Sequence, residues 1–150
     1  MACYWGHVKV VKVLLADSRV DPNYYSGTTP LFAACEEVRL HIVKLLLAHK
    51  DIDPNLISYS ETSTITASPL WLAIDDGQYR IVKALLSHPK TILDVLIQCP
   101  YSTPLEHGLT SMEDSTGGRD RKRIVAALVF FGANLDGALT DDYENDTTEA

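Results

Sequence analysis

The sequence predicts an all-α solenoid of stacked helical repeats. Three observations carry this: an apolar quartet that recurs four times, a Pro-containing helix start that recurs three times, and an Asp-Pro-Asn turn that recurs twice. The quartets are Val10, Val11, Leu14 and Leu15; Ile42, Val43, Leu46 and Leu47; Ile81, Val82, Leu85 and Leu86; and Ile124, Val125, Leu128 and Val129. Apolar pairs four residues apart share one helix face, so each quartet is a stripe that a neighbouring helix has to cover. Lys12, Lys44 and Lys83 hold one equivalent position between the pairs. That position points away from the stripe and marks the solvent side.

Ahead of three of the four stripes stand TPLFAAC from Thr29, SPLWLAI from Ser68 and TPLEHGL from Thr103. A Thr or Ser hydroxyl at an N-cap accepts from an orphan backbone N–H, and Pro in the first helical position has no N–H to leave unpaired. Behind the first two stripes come DSRVDPN and HKDIDPN, where Asp, Pro and Asn favour a turn. Each unit therefore reads as cap, short helix, longer helix, turn. Successive stripes are 32, 39 and 43 residues apart. The longer spacings call for hairpin-like or looser insertions around Leu56–Ala67 and Ser111–Asp120, which cost little entropy. The chain divides into repeats at about 1–26, 27–65, 66–100 and 101–136, followed by a tail, 137–150. From Asp136 onward there are six acids and no Lys or Arg, a composition expected to stay disordered.

A formal charge of −7 argues against general nucleic-acid binding and favours a cationic companion. Cys3, Cys35 and Cys99 give an odd count with no C-x-x-C pair, which fits a reducing, intracellular compartment: cytoplasm, with the nucleus open. The apolar run Ile124–Phe131 is too short to span a bilayer. His7, His41, His49, His88 and His107 are scattered without metal-ligand spacing, Gly117 and Gly118 lack the context of a phosphate loop, and no nucleophile elbow occurs. No enzyme, cofactor or metal site is expected. The run Arg119–Arg123 reads as a solvated boundary ahead of the last helix.

The three Thr/Ser-Pro-Leu segments, the Gly6-His7 pair and the paired apolar helices resemble the ankyrin repeat, over about Ala2 to Asp136. FGANLD from Phe131 is similar to the usual repeat terminus, with Gly132 at a position suited to αL. The VDPN and IDPN turns are similar to those common in fungal members of the family. Phe32, Trp71 and Glu106 stand where the motif has His, which removes the side-chain hydrogen bonding usual there, and Arg39 and Gln78 replace His7 in the later units. Phe32 and Trp71 are read as packing residues. Met1 occupies the place of a missing first segment, so the first repeat is expected to be incomplete and the chain a piece of a longer array. Ala126, Phe130 and Phe131 make the last outer face abnormally apolar, as an adjusted cap or as a covered surface.

The resemblance implies a non-catalytic protein-protein interaction module that binds on a concave surface of turn tips and inner helices. On that surface the inner helices end in Glu36 and Glu37, then Asp75 and Asp76, with Tyr4 and Trp5 equivalent in the first unit and Tyr24, Tyr25 and Tyr101 flanking. Acids beside aromatics suit a basic peptide or protein segment. The plainer reading is that the acids are solvated helix ends and the tyrosines cover the core. The alternative function is a structural or self-associating segment, monomeric or weakly self-associating, that stacks through the open first repeat and Phe130–Phe131.

Overall fold

A computed structural model describes residues 1–59, 66–93 and 118–132. Cys99, Tyr101, the Thr103 segment and the acidic tail lie outside the described residues.

The predicted helix starts form as the capping chemistry requires. Thr29 Oγ1 accepts from the Phe32 N–H at 3.2 Å and Pro30 opens α2 (Pro30–Glu36); Ser68 Oγ accepts from the Trp71 N–H at 3.2 Å and Pro69 opens α4 (Pro69–Asp75). Both helices end in one reverse turn. Val38 and Gly77 take φ of 54° and 67°, while the Arg39 and Gln78 N–H groups reach back to Ala34 O and Ala73 O, each at 2.8 Å. These turns satisfy the last carbonyls and send the chain into the outer helices α3 (Leu40–Leu47) and α5 (Tyr79–Leu86). Residues Met1 to Gly6 repeat the turn without a full helix ahead of it: His7 N–H donates to Ala2 O at 3.0 Å and α1 (Val8–Ala16) follows.

The helices form two layers. The inner helices α2 and α4 pack side by side, and α1, α3, α5 and α6 (Gly118–Phe130) pack in sequence as the outer layer. One core runs between the layers. It takes Val11 from α1, Ile42, Val43 and Leu46 from α3, Ile81, Val82, Leu85 and Leu86 from α5, and Ile124 and Leu128 from α6, with Phe32 and Trp71 buried among them as packing residues.

The outermost stripes are only half covered. Val10 and Leu14 remain 49% and 43% exposed, and Val129 remains 46% exposed. The end helices have an outer-layer neighbour on one side only among the described residues, which leaves their stripes partly open. Phe130 is 83% exposed and stacks edge-on against Phe131 at 5.4 Å.

The turns are welded to each other. Asn23 donates from its amide to Asp51 O at 2.7 Å and accepts from the Asp53 N–H at 2.9 Å; Asn55 repeats this with Lys90 O at 2.7 Å and the Ile92 N–H at 2.8 Å. Each DPN motif thus ends its own repeat and ties it to the next. Between the second and third units, β1 (Ser58–Tyr59) and β2 (Thr66–Ala67) pair antiparallel as a minimal hairpin. The basic run is not a boundary ahead of the last helix: α6 begins at Gly118 and contains it. Positive charge in a first helical turn opposes the macrodipole. Asp120, 3.2 Å from Arg123, offsets part of this, and the Arg123 guanidinium lies 5.6 Å from the Tyr79 ring centre.

Candidate partner-binding face

The three reverse turns at the ends of the inner segments put equivalent side chains in two rows. Tyr4, Glu36 and Asp75 form one, and Trp5, Glu37 and Asp76 the other. The rows are tied together by Arg39. Its Nε donates to Tyr4 O at 3.2 Å, its Nη2 lies 3.5 Å from Glu37 Oε2, and a Cβ on Gly6 would sit 3.2 Å from Nε. The aromatic turn of the first unit is therefore held against the acidic end of α2, and the Glu37 charge is partly answered.

The acids act on one another across repeats. Partial burial pushes the Asp76 carboxyl above the ordinary carboxylate range, and the Asp75 and Glu36 charges push it further, against the 2.9 Å hydrogen bond donated by Gln78 Nε2. The inner helices α2 and α4 contain no Lys or Arg, whereas the outer helices and the turns after them carry Lys12, Lys44, Arg80 and Lys83. A cleft of about 710 Å³ lies on that basic outer side between α3 and α5 and is lined by Leu40, Lys44, Leu47, Tyr79 and Lys83.

Tyr4 and Trp5 stand edge to face, 5.3 Å between ring centres and 77° between planes. They line a cleft of about 350 Å³ with Glu36, Ala33, Thr28 and Tyr59. The hairpin brings Tyr59 there. Ser58 is buried, accepts from the Thr29 N–H at 3.0 Å and donates to Thr29 Oγ1 at 3.1 Å, while the Tyr59 N–H donates to Gly27 O at 3.2 Å. Strand alternation then turns Tyr59 outward. The Ser58–Thr29 hydroxyl pair also satisfies the second helix cap without the motif His that Phe32 displaces. Tyr24 and Tyr25 are exposed on the turn after α1 and do not line the cleft. Tyr101 lies outside the described residues.

The sequence alone did not single out Tyr59 or Thr28. The alternation Ile57-Ser58-Tyr59 before Thr66-Ala67 was the available strand signal, too short to outweigh a loop. Cys35 is fully buried, which pushes its thiol far up, and partial burial raises the Cys3 thiol too; neither supplies a thiolate at neutral pH. No group of three metal-ligating side chains is present, and no helix is long and apolar enough to cross a membrane, among the described residues.

Two helical layers, recurrent reverse turns and side chains presented at the ends of the inner helices define a helical-repeat scaffold. The chain belongs to the ankyrin repeat family: the family model for ankyrin repeats (3 copies) matches residues 1–99. Members of this family are generally protein-protein interaction modules and are typically non-catalytic. A search of curated proteins returns no match for the chain.

Proposed function

We propose that the chain is a non-catalytic recognition module, four repeats with the unit of α6 last, that binds a basic protein or peptide segment on its concave face. One observation carries this reading. Glu36, Asp75 and Asp76 gather acids from two successive repeats at the ends of inner helices that hold no Lys or Arg, in line with the Tyr4–Trp5 pair; partial burial first, and then the Asp75 and Glu36 charges, raise the Asp76 carboxyl, while Arg121 reaches only the Asp75 carbonyl, at 3.5 Å. Carboxylates attract a cationic segment and fix its register, and the rings add rigid contact area at low entropic cost. Tyr24, Tyr25 and Glu37 are proposed as peripheral contacts, and Tyr101, outside the described residues, is kept as a candidate from the sequence alone. The fold and the reading suit an intracellular binding partner.

Titration of the chain with an Arg- and Lys-rich peptide tests it. Replacing Glu36, Asp75 and Asp76 with Lys is expected to abolish binding while leaving the helical signal intact; unchanged affinity in the reversed variant removes the acidic face from the account. Binding is also expected to weaken with salt.

A second reading has its own observation. Val10, Val13 and Leu14 at one end and Val129 and Phe130 at the other are exposed apolar groups on outer helices. Contacts between two different ends do not close on themselves and give open stacks. Sedimentation at rising concentration decides: mass that climbs with concentration and drops in a Phe130→Ser variant supports self-association, and a constant monomer mass rejects it.

A further inference from the structure

We propose that the cleft formed by Tyr4, Trp5, Tyr59 and Glu36 is a receptor for a methylated lysine side chain in the basic partner, the dimethylated form above all. The inference rests on the cationic-partner reading and names the group that this end of the face takes.

Three aromatic side chains and one carboxylate line a single cleft of about 350 Å³. Two of the rings, Tyr4 and Trp5, are nearly perpendicular at 5.3 Å, so they present walls in two planes. The third, Tyr59, comes from the hairpin, which is fastened to the turn before α2 by the Ser58–Thr29 pair and the Tyr59–Gly27 bond. Arg39 fixes the Tyr4 backbone from the other side. Ala33, small and buried, lines the same cleft and leaves it room for a group. Trp5 is 63% exposed although it is the largest side chain of the wall, so apolar ring surface is left open to a ligand. Thr28 also lines the cleft, its Oγ1 turned out of solvent and without a hydrogen-bond partner among the described residues.

Aromatic faces attract cations, and the attraction is greatest for a cation that sheds its water easily. An unmodified lysine ammonium is compact and strongly hydrated. Methyl groups replace N–H donors with apolar surface, spread the positive charge over carbon and lower the cost of leaving water, so the aromatic walls gain and the solvent loses. Glu36 supplies the counter-charge. A dimethylammonium keeps one N–H, which a carboxylate can accept, whereas a trimethylammonium has none to give. Asp75 and Asp76 stand in the next repeat along the face and suit the arginines or unmodified lysines of the same segment.

The test uses one short peptide, a central lysine flanked by arginines and glycines, in four forms: unmodified, dimethylated, trimethylated, and with an uncharged carbon isostere of the methylated head. Calorimetric titration of the full chain is expected to give about tenfold tighter binding of the dimethylated than of the unmodified form, a smaller gain for the trimethylated form and none for the isostere. Trp5→Ala, Tyr59→Ala and Glu36→Gln are each expected to erase the discrimination between forms. Replacing Asp75 and Asp76 with Asn is expected to weaken all charged forms by a common factor. Equal binding of the unmodified and dimethylated peptides overturns this proposal and leaves the acidic face standing; discrimination that survives Trp5→Ala and Glu36→Gln overturns it too, by placing the selectivity elsewhere. Binding of none of the four forms overturns both readings.

Discussion

Helices α1 and α5 carry the same stripe and meet opposite fates. In α5, Ile81, Val82, Leu85 and Leu86 are all buried; in α1, only Val11 is, with Val10, Val13 and Leu14 exposed. The helices are of similar length and pattern. What separates them is company: α5 packs against α3, α4 and α6, whereas α3 is the main helical neighbour of α1 among the described residues. A repeat has no core of its own, so burial belongs to the stack. The end units keep apolar and aromatic surface that the middle ones spend on each other, and it is at the first unit that the aromatic cleft opens.

The largest effect that can test this comparison is in the cores. Leu85→Ala is expected to destabilise the chain by about 2–5 kcal/mol through the cavity it leaves, whereas Leu14→Ala, partly solvated already, is expected to cost below about 1 kcal/mol. Equal midpoint shifts in urea unfolding would break the distinction between middle and end.

Next comes the ladder of turns. Asn55→Ala removes the partners of Lys90 O and the Ile92 N–H at once, and is expected to cost about 1–2 kcal/mol, with Asn23→Ala similar at the first junction. Hydrogen exchange should quicken at the Ile92 and Asp53 amides respectively. The ladder has a sequence limit: the position matching Asn55 in the third unit is Asp94, which lacks an amide donor.

A smaller effect of opposite sign compares two equivalent turns. Val38 holds φ of 54° where Gly77 holds 67°, and a β-branched side chain in that region is strained. Val38→Gly is expected to stabilise by about 0.5–1 kcal/mol after the entropic cost of glycine, while Gly77→Val destabilises. Thermal unfolding of the pair measures both.

The smallest effect is electrostatic. Because the folded-state pKa of Asp76 is raised, its contribution to stability is complete below about 3.8 and is lost as pH rises through the raised value. The stability gap between Asp76→Asn and the unaltered chain is therefore expected to widen in favour of Asn from acid to neutral pH. A cationic peptide should close it, since a bound positive charge favours the carboxylate.

Much of the fold was legible in residue order. Thr29 and Ser68 read as caps because a side-chain oxygen three residues ahead of an N–H is a local relation, and Pro30 and Pro69 reinforce it. Asp21-Pro22-Asn23 read as a turn for the same reason, although its second role, bonding the following turn, was not visible. Arg119–Arg123 misled, since nothing local distinguishes a charged loop from the charged start of a helix whose Arg123, in the second turn, lies over Tyr79 on another helix. At the candidate face, the acids and the Tyr4–Trp5 pair could be placed by matching repeats, whereas Tyr59 sits in an insertion that has no repeat equivalent.

The sequence by itself determined the helix starts, the turns, the stripe on each outer helix and the family they compose, because each depends on contacts within a few residues or on a pattern repeated along the chain. Tertiary structure alone decided which stripes are covered, that Val38 is bent into a glycine's conformation, that Ser58 bonds the Thr29 cap, and that Tyr59 lines one cleft with Tyr4 and Trp5. Those outcomes depend on which surfaces meet across the stack, and the free energy of burial is a property of the meeting and not of either sequence segment.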